Sequence, residues 1–145
     1  MFTRILIGLI VVLLGLWLYV RLAPNDPADW HTLPDVETPQ TREEPGGYLA
    51  ARRITAPADE VLNAVMNVAR STDRTVLVSG DVAEGMLTFR TRSRVWGFPD
   101  HTTVAVQGDL LVIYGRLRFG GSDLGVNKDR VERWLAVLGP LTEPL

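Results

Sequence analysis

The arginines of this sequence are spaced so that several of them could act together on one ligand. One segment alternates so that Arg90, Arg92 and Arg94 fall on one side of a predicted strand, and a later segment spaces Arg116 and Arg118 in the same way. Guanidinium groups bind phosphates and carboxylates well, because each presents several donors in a fixed fork. The spacing therefore indicates a surface that binds anions.

A hairpin turn determines whether these arginines share one face of a sheet. Gly108-Asp109 fits a two-residue turn, which pairs Gln107 with Leu110 and fixes the register outward from there. With the apolar positions kept in the core, His101 joins the arginines on the other face. That face is either the solvated side of an open sheet or a surface that holds an acidic partner.

A glycine-rich loop links the last predicted strand to the last predicted helix. Gly120, Gly121 and Gly125 permit backbone amides that converge on an anion. The alternative is structural, in which Ser122 or Asp123 ties the turn through side-chain to backbone hydrogen bonds. The loop has neither the phosphate-loop pattern nor the spacing of a nucleophile elbow. The sequence leaves both interpretations open.

The second arginine pair and this loop together form one motif. It reads Arg116-x-Arg118-x-Gly120-x-Ser122-Asp123-Leu124-Gly125-Val126-Asn127-x-x-Arg130 and resembles the hallmark of the domain-of-unknown-function family DUF1499. Two further segments resemble this family. Gly97-Phe98-Pro99-Asp100 resembles a segment that is typical of the family as a whole. Asp29-Trp30-His31 resembles a segment of the members that are anchored in a membrane. The resemblance covers most of residues 30–138, with Gly121 where an arginine is common. It implies no activity, cofactor or substrate.

These arguments give two sets of candidate residues. The hypothesis assigns anion binding to Arg90, Arg92, Arg94, His101, Arg116, Arg118, Gly120, Gly121, Ser122 and Arg130. It assigns structural or motif roles to Phe98, Asp100, Asp123, Gly125 and Asn127. We expect Asp123 either to pair with an arginine of the motif, which would join strand to helix, or to leave the arginines free for a bound acid.

Catalysis and metal binding have little support in the sequence. The chain has no cysteine and two histidines, which excludes thiolate metal sites and leaves few general bases. A hydrolase could use Ser122 and His101, but nothing in their spacing requires them to meet. We predict no catalytic residue, no metal and no cofactor.

The first residues predict a membrane segment. Residues 5–20 carry no charge and lie between Arg4 and Arg21, so that they form a helix of about 24 Å. The flanking arginines can reach the headgroups, and Trp17 and Tyr19 lie where interfacial aromatic residues occur.

A cleaved secretory signal is the alternative to an anchor. Cleavage after Ala23 would put Arg21 at a position that requires a small residue. We therefore expect residues 1–22 to remain as a single-pass anchor in the cell membrane. The positive charge at the N-terminus favours a domain on the outer side of that membrane.

Residues 23–45 have the composition of an acidic linker. They contain five prolines and six acidic residues against one arginine, which predicts an extended, self-repelling spacer. Trp30 and His31 are the exceptions, and an aromatic residue in such a linker lies either at the lipid interface or against the domain. The linker is also one candidate for the acidic partner of the arginines.

Residues 46–145 predict one α+β domain with an antiparallel sheet, in the order β-α-β-β-β-β-α, and with both helices on one face of the sheet. The predicted strands are 48–55, 75–79, 86–94, 101–107 and 110–119, and the predicted helices are 57–71 and 127–138.

The predicted function is a membrane-anchored binding module for an anionic ligand or envelope component. Its partners are the membrane, through residues 5–20, and an anionic lipid, a glycan or an acidic protein. The net charge of −2 argues against nucleic acid, for which a basic domain is expected. The alternatives are a structural or assembly subunit of a membrane complex and, with less support, an enzyme.

Overall fold

Alternating apolar residues organise the sheet of the computed structural model, which describes residues 1–145. Six strands pair antiparallel in the order β1-β2-β6-β5-β4-β3. They are β1 (Gln40–Glu44), β2 (Gly47–Arg53), β3 (Thr75–Asp81), β4 (Met86–Arg92), β5 (Pro99–Gln107) and β6 (Leu110–Leu117). The predicted α+β class with an antiparallel sheet is confirmed.

Three α-helices accompany the sheet, namely α1 (Phe2–Leu22), α2 (Ala58–Ser71) and α3 (Val126–Leu138). The amphipathic helices α2 and α3 bury their apolar stripes against one face of the sheet, where Val65 and Trp134 join Phe89 and Ile113 in the main core. Both helices therefore lie on one face, as predicted.

The α1 helix differs from α2 and α3, because it is apolar on all sides. It is long and apolar enough to cross a membrane, with a mean hydropathy of 2.5. Of its residues only Val20 is buried. Both a membrane anchor and a signal sequence have these properties.

The hairpin between β5 and β6 has the predicted register. Gln107 pairs with Leu110 and Val106 pairs with Leu111. Gly108 has a φ of +62°, which this tight turn requires and which other residues adopt only at a cost.

The N-terminal edge of the sheet was missed by the sequence analysis. β1 lies in the predicted linker and pairs with β2. It reads QTREE, so it offers no apolar alternation, and its charged residues suit an edge strand that must not pair with another chain.

The rest of the predicted linker also belongs to the domain. Residues 23–38, here called the covering segment, cross the sheet face opposite to α2 and α3. Val36 packs there in a second apolar cluster with Leu49 and Val112, and its amide donates to the Gln107 side chain at 3.0 Å. The expected boundary between a separate linker at 23–45 and a domain at 46–145 is therefore absent.

The contact between β6 and α3 depends on a missing side chain. A Cβ on Gly115 would lie 2.9 Å from Oδ1 and 3.1 Å from Cβ of Asn127. We expect Gly115→Ala to lower the free energy of unfolding by about 1–3 kcal/mol, because the added methyl group overpacks this contact. Urea unfolding of the full chain in detergent micelles measures the change.

The control for this variant is Gly121→Ala, because nothing lies within 4 Å of a Cβ at that position. We expect its unfolding free energy to stay within about 0.5 kcal/mol of the wild type. Equal stability of the two variants would contradict the close approach of β6 and α3.

Candidate functional site

Three strands bring two arginines and a histidine into one row on the sheet face opposite to α2 and α3. Arg90 on β4 is directly opposite His101 on β5, which is directly opposite Arg116 on β6. Arg92 at the end of β4 and Arg118 just beyond β6 lie on the same side, because side chains two residues apart share a face. We call this side of the sheet the arginine face.

Arg21, at the end of α1, extends this group, and we call Arg21, Arg90, Arg92, Arg116 and Arg118 the arginine cluster. Burial lowers the pKa of Arg92, and the positive charges of Arg90, Arg21 and Arg118 lower it further. None of the five has a carboxylate oxygen within 4.0 Å. The cluster therefore carries uncompensated positive charge.

The arginines on β1 and β2 are different, because each of them has an acidic partner. These ion pairs are Arg42–Glu44, Arg52–Glu132 and Arg53–Asp109. Within the sheet, the lack of acidic partners therefore distinguishes the arginine face from the edge formed by β1 and β2.

Arg116 is held by the covering segment through oxygen dipoles. Its guanidinium donates to the carbonyl oxygen of Trp30, to that of Thr32 at 3.2 Å and to the hydroxyl of Thr103 at 3.0 Å. Burial lowers the pKa of Arg116. The acidic segment thus folds back onto this arginine, which was one of the alternatives for its partner, but it supplies carbonyl groups instead of carboxylates.

The neighbouring arginines follow the same pattern. Arg118 donates to the carbonyl oxygens of Ala23, at 3.4 Å, and Pro24. Arg92 donates to the carbonyl oxygen of Gly97 at 2.9 Å. Arg90 is half-buried and has no hydrogen-bond partner within the chain.

An aromatic stack attaches the covering segment to the sheet. The rings of Trp30 and His101 are nearly parallel, at 12°, with their centroids 4.2 Å apart. The Trp30 indole N–H donates to Oδ1 of Asn25 at 3.1 Å, which turns the amide nitrogen of Asn25 toward Nε2 of His101 at 2.9 Å. Nε2 must then accept a hydrogen bond, so His101 is neutral.

The surroundings of His101 also disfavour a positive charge. The side chain is fully buried, and burial together with the charges of Arg116, Arg90, Arg118 and Arg92 lowers its pKa to about 3. His101 is therefore a neutral packing residue and does not add to the positive charge of the arginine face.

The structure places Arg130 on the opposite side of the sheet from the arginine cluster. It is buried on α3, where it donates to Oδ1 of Asn127 at 2.7 Å and lies 3.6 Å from the carboxylate of Asp100. Asn127 is inside the helix and also donates to Asp100 at 3.3 Å. These three motif residues attach α3 to β5.

Arg94 lies outside the arginine face, because β4 ends at Arg92. It lines a groove on the helix side of the sheet together with Arg74, Arg133 and Trp134. The extension of the strand to residue 94 was wrong because the chain turns at Ser93, whose hydroxyl accepts from the amide of Phe98.

The glycine loop has the local hydrogen bonds of the structural alternative. Asp123 accepts from the amides of Gly125 at 3.1 Å and Asn127 at 2.8 Å, so it caps α3, and it makes no ion pair with an arginine. Ser122 accepts from the amide of Leu124 at 3.3 Å. Gly120 and Gly121 are exposed beside them. The structure does not bring this loop and the row from Arg90 to Arg116 into one site.

Phe98, the remaining motif residue, lies between the domain and α1. Its ring centroid is 6.1 Å from that of Phe119, which in turn lies 6.2 Å from that of Tyr19 on α1. Gly97 and Phe98 thus belong to the contact between the domain and the N-terminal helix, whereas Asp100 faces α3.

Ser122 and His101 do not meet, because His101 is buried under Trp30 while Ser122 lies in an exposed loop and bonds to its own backbone. The chain also has no group of three or more histidine, cysteine or acidic side chains that could hold a metal ion.

The sequence analysis missed two partners of the site. Arg21 was assigned only to the membrane boundary, and Asn25 was not considered. The tryptophan and histidine at positions 30 and 31 were a usable signal, since docking onto the domain was one of the two positions expected for them. His31 contacts Thr88 of the sheet at 2.8 Å.

Comparison with known proteins agrees with the motif. The sequence model of the family described as "Protein of unknown function (DUF1499)" matches residues 23–138. No curated protein matches the chain in sequence. Among solved structures, the chain is similar to the crystal structure of a DUF4468 family protein from Bacteroides ovatus ATCC 8483, with 10% identity and a TM-score of 0.37. That similarity covers 83% of this chain and 100% of the other.

The neutral state of His101 gives a testable pH dependence. The unfolded chain takes up a proton near the ordinary pKa of 6.5, whereas folded His101 does so only near 3. Its contribution to stability is therefore complete above pH 6.5 and is lost as the pH falls toward 3, by up to about 1.4 kcal/mol per pH unit. Urea unfolding in micelles should follow this slope, and His101→Gln should flatten it.

The ring itself can be followed by NMR in His31→Gln, which leaves one histidine in the chain. We expect its signals to stay at the neutral position from about pH 8 down to about pH 5. A titration with a midpoint near the ordinary pKa would contradict the buried stack.

Proposed function

Because the chain belongs to the DUF1499 family, whose description assigns no activity, we propose a function from its own geometry. The protein is a membrane-anchored, non-catalytic module that holds an anionic ligand on the arginine cluster. The ligand lies beside the point where α1 meets the domain.

The uncompensated charge of the cluster carries this proposal. Burial lowers the pKa of Arg92, and the neighbouring arginines lower it further, so their mutual repulsion costs folding free energy. A natural sequence tolerates such a cost where a bound partner offsets it, and guanidinium groups are strong donors to phosphate and carboxylate. Arg90 makes no hydrogen bond within the chain, and Arg92 and Arg118 donate only to carbonyl oxygens of Gly97, Ala23 and Pro24. The free N–H groups of these three arginines offer further donors.

Anchoring is the second part of the proposal. It is supported by the length and hydropathy of α1 and by Arg21 near its end, which can reach the headgroups. The contact of Tyr19 with Phe119 gives the helix a role in the folded chain, which a cleaved signal sequence would not need. We propose that the domain lies on the outer side of the cell membrane.

The ligand site is tested on the full chain in detergent micelles, with inorganic phosphate as the probe. The Nε–H signals of Arg90, Arg92 and Arg118 should shift on titration, and added sodium chloride should reverse the shift. Because a hydrogen bond to a charged group contributes about 1.5–3 kcal/mol, Arg90→Gln with Arg92→Gln should weaken binding by about tenfold or more.

The matched control removes the same charge elsewhere. Arg70→Gln with Arg133→Gln changes two exposed arginines of α2 and α3, on the other side of the sheet, and should leave the affinity unchanged. Equal weakening by both double variants, or no shift at the three arginines, would refute a specific anion site and favour a structural or assembly role.

A further inference from the structure

We propose that one end of the domain is itself a membrane-docking surface, which inserts apolar loop residues and binds the phosphates of anionic phospholipids. The surface comprises residues 72–74, 93–98 and 118–125, and we call it the α1 end. The proposal rests on the anchoring of α1 proposed above, but not on the ligand site of Arg90 and Arg92.

The topology brings these three loops together. They precede β3, connect β4 to β5 and follow β6, and the pairing of Thr75 with Thr91 and of Asp100 with Leu117 places all of them at one end of the sheet. The last turns of α1 lie at the same end, where Gly97 packs against the guanidinium of Arg21.

The loop at 93–98 reaches along the apolar part of α1. Trp96 forms an apolar groove with Leu13, Leu14 and Trp17 of that helix. At 1.5 Å per residue, Trp17 and Leu14 lie about 6–10 Å deeper than Arg21 along the helix axis. With Arg21 at the headgroups, Trp96 then lies at the depth typical of interfacial insertion.

Exposed apolar side chains concentrate at this end. Leu124 is 93% exposed, Val95 is 73% exposed and Trp96 is 39% exposed. Large side chains in this state are costly in water, and contiguous ones mark interaction surfaces. Their position next to α1 makes the bilayer that would receive the helix the natural occupant.

Charge distribution favours an anionic bilayer. The α1 end contains Arg74, Arg94 and Arg118, and the guanidinium of Arg21 lies beside it at Gly97. Of the acids near them, Asp73 lies 3.8 Å from Arg74, Asp123 caps α3, and Glu43 bonds to Lys128 at 3.1 Å. The opposite end of the domain is acidic and carries Asp35, Glu37, Asp59, Glu60, Asp81, Glu84, Asp109 and Glu143. This polarity turns the basic end toward anionic headgroups.

Site-directed spin labelling tests the proposal on the full chain, because the sequence contains no cysteine. Val95→Cys and Leu124→Cys place labels at the α1 end, and Ala83→Cys places a control label in the exposed turn between β3 and β4. Each variant is reconstituted into phosphatidylglycerol vesicles and into phosphatidylcholine vesicles. Collision of the label with oxygen, which partitions into lipid, is compared with collision with a water-soluble nickel chelate.

We expect oxygen collisions to dominate at positions 95 and 124 in phosphatidylglycerol, and nickel collisions to dominate at position 83. The excess of oxygen collisions at positions 95 and 124 should decrease in phosphatidylcholine vesicles. It should also decrease in the double variant Arg74→Gln with Arg94→Gln, which leaves the proposed ligand site intact. Arg53→Gln, at the far end, should leave it unchanged.

The outcomes separate the two proposals. If the chain floats with the vesicles but the labels at positions 95 and 124 collide with the nickel chelate as often as the label at position 83, docking is overturned and anchoring remains. A chain that does not float overturns both. Insertion of equal depth in the two lipids overturns the preference for anionic lipid, because phosphatidylcholine also carries a phosphate but has no net charge.

Discussion

The contact between Arg116 and the covering segment is the interaction on which the rest of this structure depends. Arg116 donates to the carbonyl oxygens of Trp30 and Thr32, and Trp30 stacks on His101 from the same side. Carbonyl dipoles solvate a guanidinium without neutralising it, so the contact fixes the segment and preserves the charge. Because the segment starts where α1 ends, it also fixes the helix relative to the sheet.

Two properties of the site follow from that arrangement. His101 is kept neutral by Asn25 and by the arginines around it, and the arginine cluster remains without acidic partners. The motif residues on the other side of the sheet have a separate task, because Asp100 and Arg130 hold α3 against β5. The two sets are close in sequence but lie on opposite sides of the sheet.

The sequence was sufficient for those features that arise from local rules. The turn at Gly108 sets the register of β5 and β6, and alternation places Arg90, His101 and Arg116 on one face. Alternation also places Asp100 and His101 on opposite faces of the sheet. The same rule could therefore have predicted that Asp100 pairs with Arg130 on the helix side. The docking of the covering segment could not be predicted in this way. Backbone carbonyl groups are present in every residue, so their contacts leave no pattern in the sequence, and the prolines and acidic residues of this segment are typical of a free linker.

Amide hydrogen exchange across residues 23–38 of the full chain in micelles tests the central claim most directly. The amide of Val36 donates to the Gln107 side chain at 3.0 Å, so we predict that it exchanges slowly in the wild type. Trp30→Ala should accelerate it, because the stack on His101 is lost. Exchange of Val36 at the rate of an unstructured peptide in the wild type would contradict the account, since the segment would then be the free spacer that its composition suggests.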